Sequence, residues 1–181
     1  MGLLFLGLFL KVGFSWLLLE YLVFVFALVA ASCIDLDHMI LPDVFTLSGI
    51  VIGLLGAIFN PEREFLPSLF GVLLGGGSLW AVAVIYSLIR KQEGMGGGDI
   101  KLLAWIGAVL GWTSVPFVII VSSLVGSLVG LLLVFRSQKG LTHAIPFGPY
   151  LALGALLYIF FGREIADAYV QFFIPSINPA N

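Results

Sequence analysis

The sequence predicts an all-α, polytopic transmembrane helix bundle of about six to seven helices. Three observations predict it. First, 61% of the 181 residues are hydrophobic and only 10% are charged, with a mean hydropathy of +1.17. A soluble domain needs more polar surface than that to cover its core. Second, the apolar residues come in long runs without the alternation of a barrel strand. In lipid, an open-ended run satisfies its backbone only as a helix. Third, charges, prolines and glycines divide the runs into seven segments.

In chain order the segments cover 2–13, 15–37, 43–59, 65–90, 99–112, 114–136 and 146–173. A spanning helix needs roughly 20 apolar residues, and the first and fifth fall short of that. Four segments carry small residues four apart: Gly49/Gly53, Gly71/Gly75, Gly107/Gly111 and Gly126/Gly130. Such spacing lets helices approach closely, although a glycine-rich membrane chain also produces such pairs by chance. One transmembrane domain over 1–173 and a tail over 174–181 are expected. Met1-Gly2-Leu3 has no basic region or cleavage site behind it, so it is not a clean secretory signal. Leu6 stands where myristoylation wants Ser or Thr. The abrupt apolar start suggests a trimmed chain or a short family member.

A net charge of −2 offers no basic face to nucleic acid. The lone Cys33 excludes an intrachain disulfide and a multi-cysteine zinc site. His38 and His143 are too few for a histidine-rich metal centre, so neither metal nor organic cofactor is expected. Alternation of seven segments puts Arg90, Lys91, Lys101, Arg136 and Lys139 on one side, and Lys11, Arg63 and Arg163 on the other. That excess makes the first side cytoplasmic. Asp35, Asp37, Asp43 and Asp99 open on that same side, so acids 64 residues apart in sequence can meet in space.

An ionisable group in a membrane segment is costly and marks a candidate functional site. Asp35 follows 14 uncharged residues after Glu20 and belongs at or just inside the end of the second segment. Pro42-Asp43 breaks the chain and starts the third, where Asp43 caps the helix or complements its dipole. Asp37 and His38 read as wetted boundary residues, and Glu20 as an interfacial acid at the outer end. Trp16, Trp80, Trp105 and Trp112 are packing or interface aromatics.

The second acidic cluster is Gly94-Met95-Gly96-Gly97-Gly98-Asp99-Ile100-Lys101. Its glycines permit close approach or positive φ. Asp99 then heads the fifth segment, either as a functional acid or as a plain N-cap after a flexible loop. Lys101 either acts on that acid or on a bound segment, or is an ordinary cytoplasmic lysine. Pro146 either shapes the entrance of the last helix near the acids or simply starts it. A Walker loop fails because Asp99 stands where Gly-Lys-Ser/Thr is required, and there is neither a Gly-x-Ser-x-Gly elbow nor a His-Glu-x-x-His pair. Two carboxyls at one membrane face suggest an acid/base dyad sharing a proton and titrating as a unit.

The residues Gly96-Gly97-Gly98-Asp99 fit the Gly-x-Gly-Asp motif of membrane aspartic proteases. The stretch Gly94 to Ala104, with Gly107-Ala108 and Leu110-Gly111-Trp112 behind it, closely resembles the type IV prepilin peptidases. So do Ile34-Asp35 followed by Leu41-Pro42-Asp43, and Ile145-Pro146-Phe147-Gly148-Pro149. The resemblance covers roughly residues 15–160, with its three motifs in the right order. It implies a GxGD-type aspartic endopeptidase with Asp35 and Asp99 as the catalytic pair. Gly96, Gly97, Gly98, Lys101, Pro42, Asp43 and Pro146 then form the active-site loop and its support. The implied partners are the basic leader and N-terminal helix of a type IV prepilin or a type II secretion pseudopilin, with membrane lipid around them. Cleavage would follow a glycine at the cytoplasmic face of the inner membrane, and homo-oligomer formation stays open. Many bacterial members also N-methylate the new terminus and carry an insert with two Cys-x-x-Cys pairs. Cys33 stands alone here, which leaves methyl transfer unsupported.

Other readings stay open at this point. An archaeal preflagellin-type peptidase would use the same acids. A proton-coupled carrier would too, but should show matching halves, and no convincing internal repeat is present. A noncatalytic scaffold of glycine-packed helices would leave the acids dispensable.

Overall fold

The computed structural model describes residues 1–92, 96–136 and 146–173. Among these lie seven helices and no strand: α1 (Gly2–Val12), α2 (Trp16–His38), α3 (Asp43–Phe59), α4 (Phe65–Arg90), α5 (Gly97–Leu110), α6 (Ser114–Arg136) and α7 (Gly148–Phe173). Local chemistry sets their ends. The Ser15 hydroxyl accepts the Leu18 N–H at 3.2 Å and caps α2. Met39, in the left-handed region at φ 54°, closes α2 by donating its N–H to the Asp35 carbonyl at 2.8 Å. Pro42, which has no N–H to leave unpaired, takes the N-cap of α3. Gly111, at φ 82°, ends α5.

α5 is the axis of the bundle. Every residue from Leu102 to Val109 is buried. α3 runs parallel to it, with Gly49 against the Trp105 ring and Gly53 against Ala108 and Val109. α4 runs antiparallel. A β-carbon on Gly71 would strike the Gly107 backbone, and one on Gly107 would strike Gly71, so these helices meet backbone to backbone. α7 packs against α2, α5 and α6. α1 leans on α2, and its Lys11 donates to the Phe160 carbonyl and pairs with Glu164 of α7.

A largely apolar groove of about 640 Å³ separates much of α2 from α3. Trp105 and Val109 of α5 line it between Glu20 and Asn60 at one end and Val44 and Phe45 at the other. α2 reaches α5 through side chains, with Phe24 edge-on to Trp105 at a centroid distance of 5.1 Å.

The outward faces of α2, α4 and α6 expose Phe26, Leu73, Trp80, Ile85, Leu124 and Leu131. Such continuous apolar surface suits lipid. Three described helices are long and apolar enough to cross a bilayer: Trp16–His38, Phe65–Arg90 and Ser114–Leu133. Gly2–Val12, Asp43–Phe59 and Gly148–Gly162 are shorter apolar helices. The molecule is an all-α membrane helix bundle. α5 rises only about 21 Å, short of the roughly 30 Å hydrocarbon core. It is an internal strut, sheathed by α3, α4 and α7.

Candidate active site

The last turn of α2 carries the chain from an aliphatic run into polarity. Asp35 sits there with 5% of its surface exposed. A buried carboxyl needs a donor, and the Gly148 N–H supplies one to Oδ2 at 3.1 Å. Gly148 is the first residue of α7, so this N–H has no intrahelical acceptor and lies at the positive end of the helix dipole. Phe147 begins that turn, accepting from the Tyr150 and Leu151 N–H groups at 3.1 and 3.2 Å. Half-buried Pro146 precedes it at the entrance of α7. A β-carbon at position 148 would stand 2.6 Å from Asp35 Oδ2.

Asp99 is half-buried in the first turn of α5. The helix starts at Gly97, two residues earlier than the sequence suggests, with Gly96 as its N-cap and no side-chain capping bond. The plain N-cap reading of Asp99 is thereby corrected: Gly96 holds that position, and its carbonyl accepts the Asp99 N–H at 3.2 Å. Leu41 of the α2–α3 connection is wedged between the two regions. Position 98 would bring a β-carbon within 2.9 Å of it, and position 148 within 3.3 Å. The end of α2, the head of α5 and the head of α7 therefore converge on one spot. Of the glycines at 96–98, Gly98 serves close approach there, to Leu41; positive φ is confined, among described glycines, to Gly13 and Gly111.

Asp43 is the first residue of α3, and Pro42 is its N-cap. Asp43 makes no capping bond, but it stands in the first turn, where its charge complements the helix dipole, and it pairs with Lys101 at 2.6 Å, their side chains 57% and 37% exposed. This pair ties the heads of α3 and α5 beside the acids. Asp37, His38 and Cys33 are exposed. Glu93, Gly94, Met95, His143, Ile145 and the 174–181 tail lie outside the described residues. Among the described residues, no group of three His, Cys, Asp or Glu side chains is arranged to hold a metal ion.

At the opposite end Glu20, near the start of α2, is drawn into the protein. Its side chain is 11% exposed and pairs with Arg63, itself 7% exposed. Asn60 donates to Glu20 at 3.4 Å. Arg63 also donates to the Gly53 carbonyl at 3.2 Å, to Ser68 Oγ at 2.8 Å and to the Ala108 carbonyl. Burial lowers the pKa of the guanidinium and the Glu20 charge opposes that; an arginine remains charged throughout. Sequence reasoning missed this knot, and it also passed over Gly148 and Leu41 as individual residues. The available signal was an acid inside an apolar segment and an arginine at the same end of the bundle.

The fold and the spot define a polytopic helical membrane protein with two acids brought toward each other at one end. A family model described as the type IV leader peptidase family matches residues 22–131. The chain is 39% identical over 160 residues to the prepilin leader peptidase/N-methyltransferase of Pseudomonas aeruginosa, covering 88% of this chain and 55% of that protein. The protein of the same name from Xanthomonas campestris is 39% identical over 162 residues, covering 90% and 56%. The one from Aeromonas hydrophila is 37% identical over 164 residues, covering 88% and 55%. No solved structure matches the chain. The chain belongs to the type IV leader peptidase family, and it spans about half the length of the curated relatives it matches.

Proposed function

We propose that this chain is a membrane-embedded aspartic endopeptidase in which Asp35 and Asp99 activate water. It removes the basic leader of type IV prepilins or type II secretion pseudopilins, after a glycine, at the cytoplasmic face of the inner membrane. The observation that carries this reading is the approach of the α5 head, with Asp99, to the buried Asp35 that accepts the Gly148 N–H. The relatives' name, prepilin leader peptidase, supports the substrate class.

Two neighbouring carboxyls share one proton. The ionised partner takes a proton from water as the water oxygen attacks the scissile carbonyl carbon. The protonated partner donates to the carbonyl oxygen as negative charge develops there; the proton taken from water then passes to the leaving amine as the C–N bond breaks, and the intermediate's hydroxyl proton returns to the pair. The pair titrates as a unit, so neither residue owns the proton. The substrate's apolar helix stays in the bilayer and its basic leader in the cytoplasm, where exposed Asp37 adds negative charge. Methyl transfer is not assigned to these residues.

Mass spectrometry of a prepilin incubated with the chain in liposomes tests the reading. Cleavage by the wild-type chain is expected, and loss of cleavage in both Asp35→Asn and Asp99→Asn with helicity retained. Full activity in either variant removes the dyad from the account.

A further inference from the structure

The polar knot at the far end of the bundle takes no part in that chemistry, yet its geometry links the two helices that carry it. Arg63 belongs to the 60–64 linker, but its guanidinium is drawn inside. It binds Glu20 of α2, the Gly53 carbonyl of α3, Ser68 of α4 and the Ala108 carbonyl of α5. Ala108 lies in the last turn of α5, and the Trp112 N–H that would continue the helix onto its carbonyl donates to Pro67 instead. Arg63 therefore caps α5 from outside, a cation on the negative end of its dipole, and the same planar group grips α2.

α2 and α5 are antiparallel. Glu20 lies about 22 Å along α2 from Asp35, and Ala108 about 14 Å along α5 from Asp99, at the rise of an α-helix. Between these ends α2 and α5 share one buried core, in which Phe24 stands edge-on to Trp105, and α7 packs against both helices. The groove keeps α3 from bracing α2 along much of its length. A guanidinium holds its donors in a fixed fork, whereas an ammonium is a point charge that can keep one partner and lose the other.

We propose that Arg63 is a positioning residue: by clamping Glu20 and the Ala108 carbonyl in one fork, it sets the register of α2 against α5 and so the separation of Asp35 and Asp99. The catalytic half of this inference rests on the dyad reading above. A slip of one residue along either helix is about 1.5 Å, and a misplacement of about 1 Å costs on the order of 100-fold in rate.

The test uses the full chain in liposomes with Cys33→Ser as background. Spin labels go on Leu36→Cys, 58% exposed on α2, and on Gly97→Cys, where an added β-carbon meets nothing. Arg63→Lys and Glu20→Gln are compared with wild type by thermal unfolding, by label-to-label distance, and by kcat and KM on a prepilin. In Arg63→Lys we expect a folded chain with a shifted or broadened distance distribution. Its kcat should fall about 10- to 100-fold with KM within about two-fold. Glu20→Gln should move the same readouts in the same direction. Wild-type distance and kcat in folded variants, even with a lowered unfolding temperature, overturn the proposal, because Arg63 then only stabilises. If Arg63→Lys does not fold, the same readouts on Glu20→Gln decide between these outcomes. The label distance needs no activity. A wild-type chain that cleaves nothing therefore sinks the protease reading, while the distance still decides for or against the register.

Discussion

At Gly148 a single hydrogen in place of a methyl group leaves room for the Asp35 carboxyl beside the head of α7. Gly148→Ala puts a β-carbon 2.6 Å from Oδ2, and the carboxyl must turn away from its N–H donor. We expect cleavage to fall on the order of 100-fold while unfolding changes by about 1–3 kcal/mol, the usual cost of overpacking. Parallel thermal melts and cleavage assays separate the two effects. Lys101→Met is expected to behave differently. Its ion pair with Asp43 is wet, so stability should change by no more than about 1 kcal/mol; a larger loss in thermal melts would show the pair to be structural. Asp35 is legible in the sequence because it closes an apolar run, and Asp99 because it completes a Gly-x-Gly-Asp motif. Gly148 and Leu41 are not, because their roles lie in what stands across from them, more than 50 residues away in the chain. Glu20 and Arg63 each look like an end-of-helix charge. Their pairing over 43 residues depends on the linker folding inward.

Between α4 and α5 the contact is made of main chain. Gly71 and Gly107 exclude each other's β-carbons, and no flexible side chain stands there to yield. Gly71→Val or Gly107→Val should therefore lower the unfolding temperature and abolish cleavage together, in contrast to Gly148→Ala. Gly77→Ala, whose β-carbon would meet nothing, is the control on the same helix and should unfold like wild type. The seven apolar segments anticipate the helices to within two residues, since charges, prolines and glycines are also what end helices. The small-residue pairs at 49/53 and 71/75 correctly signal close approach, but spacing alone does not say that both pairs press on the same buried helix. The start of α5 is misplaced by the sequence because three consecutive glycines read as loop, whereas the last two of them are helical and Gly98 packs against Leu41.

For the molecule in its membrane, the acids, Arg90 and Lys91 share one end of the bundle, and the 60–64 linker lies at the other. The charge balance that orients the chain shifts once Arg63 is seen to be buried against Glu20, which leaves Lys11 and Arg163 as the basic residues of the far side. Single cysteines at Glu62 and Lys91, both exposed, should react with a membrane-impermeant maleimide from opposite sides of inverted and right-side-out vesicles, with Lys91→Cys on the cytoplasmic side. Labelling of both from one side would overturn the topology.

α5 is too short to cross lipid unaided, and its first turn brings Asp99 and Lys101 with it. During biogenesis such a segment has little reason to leave the translocation channel alone. Its glycine seam with α4 makes it a passenger, entering the bilayer as the second arm of a hairpin whose first arm is greasy enough for both. In an insertion assay, α5 by itself should pass through into the lumen or stay outside, and fusing α4 ahead of it should bring it to rest inside.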